Sequence, residues 1–237
     1  MKITNNIKTV DKVAAPVTHT TRTKATLVSY STPSEEFKEE GLDDVKDLVA
    51  YCARVSNPSN QLNKETADKL IGYLIKHQHW SPLEMVSACI EIETTRDIAR
   101  QILRHRSFSF QEFSQRYADP TKDLSFMLRE ARLQDTKNRQ NSIENNNEVL
   151  SAMWRIKQEN VIKNALSAYN WAIENGIAKE QARAVLPEGN TMSRMYMNGT
   201  IRSWIHYIDL RSKNGTQKEH IEVALACAQA IDKIFKL

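Results

Sequence analysis

Arg104, His105 and Arg106 stand side by side in this chain, and Glu112, Ser114 and Arg116 follow at alternating positions. Side chains two apart on an extended segment project from one face. An extended segment here presents a carboxylate, a hydroxyl and a guanidinium together, with Phe108, Phe110 and Phe113 supplying apolar contact. Such a face suits a planar, phosphorylated, hydrogen-bonding ligand of the nucleotide kind. A basic triplet alone also describes a solvated surface, or one that meets the phosphates of a nucleic acid. The carboxylate among the arginines argues against the nucleic-acid reading, because that charge repels phosphates.

Two further groups carry chemistry. In His77-Gln78-His79-Trp80-Ser81-Pro82-Leu83-Glu84, two histidines two apart precede a glutamate. That spacing matches no common helical zinc site and no further ligand has a recognisable spacing, so no metal is expected. Arg183 lies among Ala182, Ala184, Val185 and Leu186, Arg202 lies in a Thr-Ile-Arg-Ser-Trp run, and Arg211 follows Ile208 and Leu210. A guanidinium beside an apolar face calls for an anionic partner. Several of them could clamp a phosphate between subunits. Glycine-rich dinucleotide loops, a Walker loop and the G-x-S-x-G element are all missing, which leaves dinucleotide-fold, kinase and α/β-hydrolase readings without support.

The elements that must position these residues follow from periodicity. Residues 25–31 and 191–198 alternate as strands, and residues 85–93 do so with Val86, Ala88, Ile90 and Ile92 on one face. Helical spacing predicts helices over residues 42–55, 63–77, 95–103, 148–175, 177–185, 200–210 and 216–235. The helix at 95–103 delivers the basic triplet at its C-terminal end, where the helix dipole favours cations. Strands and helices do not alternate as regular βαβ units, so the expected class is α+β, with a central, mostly antiparallel sheet flanked by helices. Residues 1–24 read as an N-terminal arm, 25–237 as one domain, and the polar, Asn-rich stretch 119–147 as an insertion or mobile loop.

Composition sets the outer bounds. The 237 residues are 41% hydrophobic and 26% charged, with only six glycines and six prolines, as befits a helix-rich globular chain. A net charge of +4 is compatible with an anionic small substrate and too small to demand a nucleic acid. Cys52, Cys89 and Cys227 are far apart, form no C-x-x-C pair and are expected to be reduced and buried. The first ten residues hold no signal-like apolar run and no stretch approaches membrane-spanning length, so a cytoplasmic protein with no membrane partner is expected.

With these residues in hand, the chain closely resembles the flavin-dependent thymidylate synthases, whose pattern is R-H-R-x-x-S-x-N-E-x-S-x-R. The pattern is met at Arg104, His105, Arg106, Ser109, Glu112, Ser114 and Arg116, with Gln111 in place of Asn. The likeness continues through His79, Ser81, Pro82, Glu84, Gln101, Ala182, Arg183, Leu186, Pro187, Leu210 and Arg211, and so covers residues 25–237. Thr200 stands where the family commonly has Asn, and Gly215 where it often has His.

The resemblance implies a methyltransferase that converts deoxyuridylate (dUMP) to thymidylate (dTMP). Methylenetetrahydrofolate would give the carbon, FAD would carry the electrons and NADPH would re-reduce the flavin, in a homotetramer with composite sites. It implies flavin contacts at His79, Ser81, Arg104, His105, Arg106, Glu112, Thr200, Ile201, Arg202 and His206. It implies a dUMP site at Gln101, Ile102, Leu103, Arg104, Glu112, Phe113, Ser114, Gln115, Arg116, Arg183 and Arg211. Arg211 resembles the residue that polarises the uracil ring, and Arg183 and Arg211 are expected to arrive from other subunits.

Overall fold

Alternation around Ile90 places one strand at the centre of a sheet that is wet on one side and packed on the other. A computed structural model of the chain describes residues 23–236 and the strand Val17–Thr18. The expected N-terminal arm therefore lies, apart from that short strand, almost wholly outside the described residues. Four strands form the main sheet: β1 (Lys24–Tyr30), β2 (Ser87–Thr95), β3 (Ser109–Glu112) and β4 (Met192–Thr200). Their order is β1-β2-β4-β3 and every pairing is antiparallel. The α+β class with an antiparallel sheet flanked by helices is thus what the chain adopts.

The helices that matter for the site are α1 (Val45–Ala53), α2 (Ala67–Lys76), α3 (Arg96–Ile102), α4 (Glu148–Glu174), α5 (Ile201–Arg211) and α6 (Lys218–Ile231). Strand β2 runs straight into α3 and β4 straight into α5, and the two junctions mark opposite ends of the sheet. Arg96 N–H donates to Thr191 O at 3.0 Å, and Ile201 N–H donates to Val86 O at 3.0 Å.

Ala88, Ile90 and Ile92 of β2 and Met195 and Met197 of β4 face a core completed by Ile98 and Ile102 of α3, Trp204 and Tyr207 of α5, and Val223, Cys227 and Ile231 of α6. Burying each large apolar side chain contributes about 1.5–3 kcal/mol. The buried Trp204 keeps its indole N–H satisfied on Ala88 O at 3.0 Å. The opposite face of the sheet is polar, as antiparallel sheets allow. There Glu91 sits opposite Tyr196 and Glu93 opposite Arg194, with contacts of 2.9 Å (Tyr196 Oη to Glu91 Oε2) and 3.2 Å (Arg194 Nη2 to Glu93 Oε1).

A second core gathers on α4, where Ile162, Leu166, Tyr169 and Ala172 at helical spacing meet Phe126, Ala182 and Leu186. Asn147 caps this helix by accepting from Leu150 N–H at 3.0 Å. Gly176, at φ +78°, ends it in the left-handed turn that glycine adopts without steric cost. Within 119–147 the structure holds a short helix, Pro120–Asp123, and a fully buried Phe126. Among the described residues no helix is long and apolar enough to cross a membrane. Of the three cysteines only Cys227 is fully buried; Cys52 and Cys89, expected to be buried, are partly open, Cys89 because it alternates onto the polar face of β2 with Glu91 and Glu93.

Gly199, at the end of β4, is where the backbone of the sheet meets the ring of Phe108. A Cβ added there would lie 2.4 Å from Phe108 Cδ1. Gly199→Ala is therefore expected to destabilise the protein by about 1–3 kcal/mol, read as a lowered thermal midpoint. In a Phe108→Ala background the same change should cost less. Equal losses in both backgrounds would show that the ring is not the obstacle.

Candidate active site

Ile98, Ala99 and Ile102, all fully buried, seat α3 on the core. The helix ends as Leu103 N–H bonds Ala99 O at 2.9 Å and His105 N–H bonds Ile102 O at 3.0 Å, which turns the basic triplet out of the core. The next stretch lies along α5: Ser203 Oγ donates to Ser107 O at 3.2 Å, and Phe108 packs edge-on to Trp204 at 4.8 Å. That alignment sets the His105 ring edge-on to Tyr207 at 4.9 Å and within 2.9 Å of Arg211, whose Nε donates to His105 Nε2. Arg211 therefore reaches the triplet from within the same chain, not from another subunit as expected. The physical reason is that α5 ends beside the loop it supports. Burial, with the nearby Arg211 guanidinium, pulls His105 down to about 4, so its Nε2 remains a bare acceptor. Arg104 and Arg106 are exposed, and neither has a carboxylate partner among the described residues.

The second half of the motif departs from the expected single extended face. Strand β3 ends at Glu112, and residues 114–118 curl into a turn in which Tyr117 N–H and Ala118 N–H both bond Ser114 O, at 3.1 and 2.9 Å. Glu112 turns toward β4 and accepts from Ser193 Oγ at 2.8 Å, with Arg96 Nη1 3.8 Å away. Ser114 and Arg116 are exposed on the turn, while Gln115 is buried with its Nε2 unpartnered among the described residues. A turn replaces the strand because Gln115 points inward, which breaks the alternation. Phe108 and Phe110 pack against the main core and do not line a ligand face, and Phe113 is half-buried.

Arg116 and Arg183 nevertheless both reach Glu180, one at its carboxylate and the other at its backbone carbonyl. Arg116 Nε lies 3.4 Å from Glu180 Oε2, and Arg183 Nε donates to Glu180 O at 3.3 Å. The short helix Lys179–Ala182, anchored by Ala182 and Leu186 in the second core, carries Glu180 and is capped at its C-terminal end by Arg183, and Lys179 Nζ reaches Tyr117 O at 2.9 Å.

A third group forms where the turn Ser81–Glu84 leans on α5. Arg202 Nη1 bonds Glu84 Oε1 at 2.6 Å, and Trp80 lies 4.4 Å from His206. His79 follows Gln78, which occupies the left-handed region at φ +59° while His79 N–H closes the end of α2 on Leu74 O at 2.8 Å. A side chain there costs roughly 1–2 kcal/mol, so this turn holds strain beside His79. His77 and His79 pack near Tyr73. Among the described residues no cluster of three or more His, Cys, Asp or Glu has metal-binding geometry.

Of the remaining expected residues, Ile102 and Ile201 are fully buried, backbone included, and present no surface to a ligand on the single chain, while Leu103 packs against the core. Thr200 caps α5, its Oγ1 accepting from Ser203 N–H at 3.2 Å. Gln101 was expected, but its neighbours were not. His220, Gln217 and Glu219 at the start of α6 and Arg129 and Arg132 from the 119–147 stretch all join its network. The sequence signal for them was a Gln-Lys-Glu-His opening on an otherwise apolar helix.

The chain is thus an α+β protein whose antiparallel sheet carries exposed arginines, Arg104 and Arg106, beside an imidazole–guanidinium pair. Residues 40–235 match the family described as thymidylate synthase complementing protein. The chain is 48% identical over 211 residues to a probable flavin-dependent thymidylate synthase of Paramecium bursaria Chlorella virus 1, covering 89% of this chain and 94% of the relative. It is 49% identical over 188 residues to the flavin-dependent thymidylate synthase of a Synechocystis strain, covering 79% and 85%. The fold is shared with a UMP/dUMP methylase, PolB, of Streptomyces cacaoi, at a TM-score of 0.75 and 23% identity over 92% of both chains. The chain belongs to the flavin-dependent thymidylate synthase family.

The two buried imidazoles make stability depend on pH. Unfolded, each titrates near 6.5; folded, burial and Arg211 hold His105 to about 4 and His220 to about 3. Above 6.5 both are neutral in both states. As pH falls below 6.5 the unfolded chain takes up protons first, so stability drops until the folded values are passed and then levels off. Guanidinium unfolding midpoints should therefore be lower at about pH 5 than at about pH 7.5, and the gap should narrow in His105→Gln. An unchanged gap would mean that His105 is not held neutral by the fold.

Proposed function

We propose that this family member carries out the reductive methylation of dUMP to dTMP, with 5,10-methylenetetrahydrofolate as carbon donor, FAD as its flavin and NADPH as the reductant. The names of the viral and cyanobacterial relatives support thymidylate synthesis and flavin dependence. The observation that carries the reading is the Arg211–His105 bond. It commits the Nε of Arg211 and leaves both Nη groups without a hydrogen-bond partner among the described residues. A planar fork of donors held this way suits the carbonyl edge of a uracil ring. It stabilises the negative charge that builds there as carbon 5 becomes nucleophilic.

The other residues fit their parts. Arg116 and Arg183 converge on Glu180 and can exchange that contact for a phosphate dianion, with the exposed Ser114 hydroxyl beside Arg116 in sequence. The unpaired Arg104 and Arg106, with His79, Ser81 and His206 open to solvent, form a donor set that fits a diphosphate-bearing flavin. Bound there and reduced by NADPH, the flavin would supply the hydride that takes the transferred carbon to a methyl group. Burial raises the thiols of Cys52, Cys89 and Cys227, so none is poised as the thiolate that a cysteine-addition route needs. Leu150, Met153, Trp154 and Val161 of α4 are exposed on the single chain, which supports a homotetramer that covers them.

Purified protein should carry visible flavin absorbance and oxidise NADPH in a dUMP-dependent way when folate is supplied. Arg211→Ala should cut dTMP formation by about 10²–10³-fold. Arg116→Ala and Arg183→Ala should mainly raise KM for dUMP, by about 10- to 100-fold. Undiminished dTMP formation in Arg211→Ala would contradict the role given to that residue. For the assembly, Met153→Glu should lower the mass seen by light scattering, and an intact tetramer would sink the assignment of that stripe.

A further inference from the structure

Gln101 belongs to a file of hydrogen bonds that runs inward from the His105–Arg211 pair. Tyr207 Oη is 3.1 Å from His220 Nε2, and His220 Nδ1 is 3.2 Å from Gln101 Oε1. Gln101 Nε2 donates to Gln217 Oε1 at 2.9 Å, and Gln217 Nε2 donates to Glu219 Oε2 at 2.9 Å. At the far end Arg129 Nη1 and Arg132 Nη2 lie 3.0 and 2.8 Å from Glu219. His220 is fully buried and Glu219 nearly so.

Only one end of this file has a fixed polarity. An ionised carboxylate accepts and cannot donate, whereas an amide, a neutral imidazole and a hydroxyl can each be arranged either way. Burial pushes the Glu219 carboxyl up, but Arg129 and Arg132, with the Gln217 amide, bring it below the usual range, so it is ionised. Gln217 must then turn its N–H toward Glu219 and its oxygen toward Gln101. Gln101 in turn gives its N–H to Gln217 and its oxygen to His220. His220 therefore carries its proton on Nδ1, and the Tyr207 hydroxyl donates to the bare Nε2. Burial, with Arg211 and His105 nearby, keeps His220 neutral, as this sequence of donors requires.

We propose that Glu219 is a positioning residue for the nucleotide site, fixing through Gln217 which way the Gln101 amide faces and, through His220, where the Tyr207 hydroxyl proton points. What Gln101 can offer a ligand is then set: one remaining N–H and one remaining lone pair, each in a fixed place. The same file abuts the His105 ring through Tyr207 and so borders the support of Arg211. The functional half of this assignment rests on the reading of Gln101 as a dUMP contact; the polarity of the file does not.

The test replaces the charge and keeps the shape. Nitrogen NMR of ring-labelled histidine should show His220 as the Nδ1–H tautomer in the wild type and in Tyr207→Phe, and as a mixture in Glu219→Gln, whose amide can donate as well as accept. KM for dUMP should rise about tenfold in Glu219→Gln while kcat stays within about twofold. If Glu219→Gln does not fold, because Arg129 and Arg132 lose their counter-charge, Gln217→Leu interrupts the file without touching that charge and should give the same two changes. An Nε2–H tautomer in the wild type, or a tautomer that switches in Tyr207→Phe, would overturn the assignment of polarity to Glu219. A raised KM in Gln101→Ala beside an unchanged KM in Glu219→Gln would overturn the positioning role. An unchanged KM in both variants, with the tautomer released, would overturn the reading of Gln101 as a nucleotide contact.

Discussion

A phenyl ring resting on a bare Cα determines how the site is assembled. Phe108 can lie over Gly199 only because residue 199 has no side chain, and that contact holds the end of the basic loop against the junction of β4 and α5. From there the remaining placements follow. Ser107 O meets Ser203, His105 meets Tyr207, and Arg211 comes within reach one helix length from the glycine. A larger residue at 199 would lift the loop and separate the imidazole from the guanidinium, although neither group touches residue 199.

Charge is divided between two regimes. On the inner side, Arg129 and Arg132 are paired with Glu219 and Asp97 where water has little access, and buried charges persist only when paired in this way. On the outer side, Arg104 and Arg106 stand in solvent without carboxylates among the described residues, Arg116 pairs with the Glu180 carboxylate, and Arg183 bonds only the backbone carbonyl of Glu180. The first set is held by these ion pairs, although Arg129 Nη1 and Arg132 Nη1 lack a hydrogen-bond partner among the described residues. The second retains donors for an incoming anion. Gln101 lies between the two sets and, among the described residues, is the one expected ligand contact whose amide is tied through Gln217 into the inner one.

The sequence made the scaffold legible wherever one periodicity ruled. Val86, Ala88, Ile90 and Ile92 alternate without interruption, and all four are buried. Asn175 and Gly176 stop the long helix where composition says they should. Residue types and the family pattern named Arg104, His105, Arg106 and Arg211 as one candidate group, and the fold sets Arg211 against His105. The conformation of the site was less legible. Alternating Glu112, Ser114 and Arg116 suggested one extended face, but nothing local reveals that Gln115 prefers burial to alternation. Nor could spacing show that Arg211 folds back onto His105, since 106 residues separate them and only the order of strands brings them together. The Tyr207–His220–Gln101 contacts have the same origin.

Arg211 is a connector with two addresses. Its Nε–H is read by the protein, through His105, and its pair of Nη groups has no hydrogen-bond partner among the described residues. Guanidinium is the only side chain that offers a donor on its stem side and a separate fork at its tip within one rigid plane. An ammonium in its place would carry the same charge but have a single nitrogen, and bonding the imidazole would draw that nitrogen away from the ligand. The residue at this position is thus specified by the number and direction of its N–H bonds, and a count of charges alone would not distinguish the substitution that works from the one that does not.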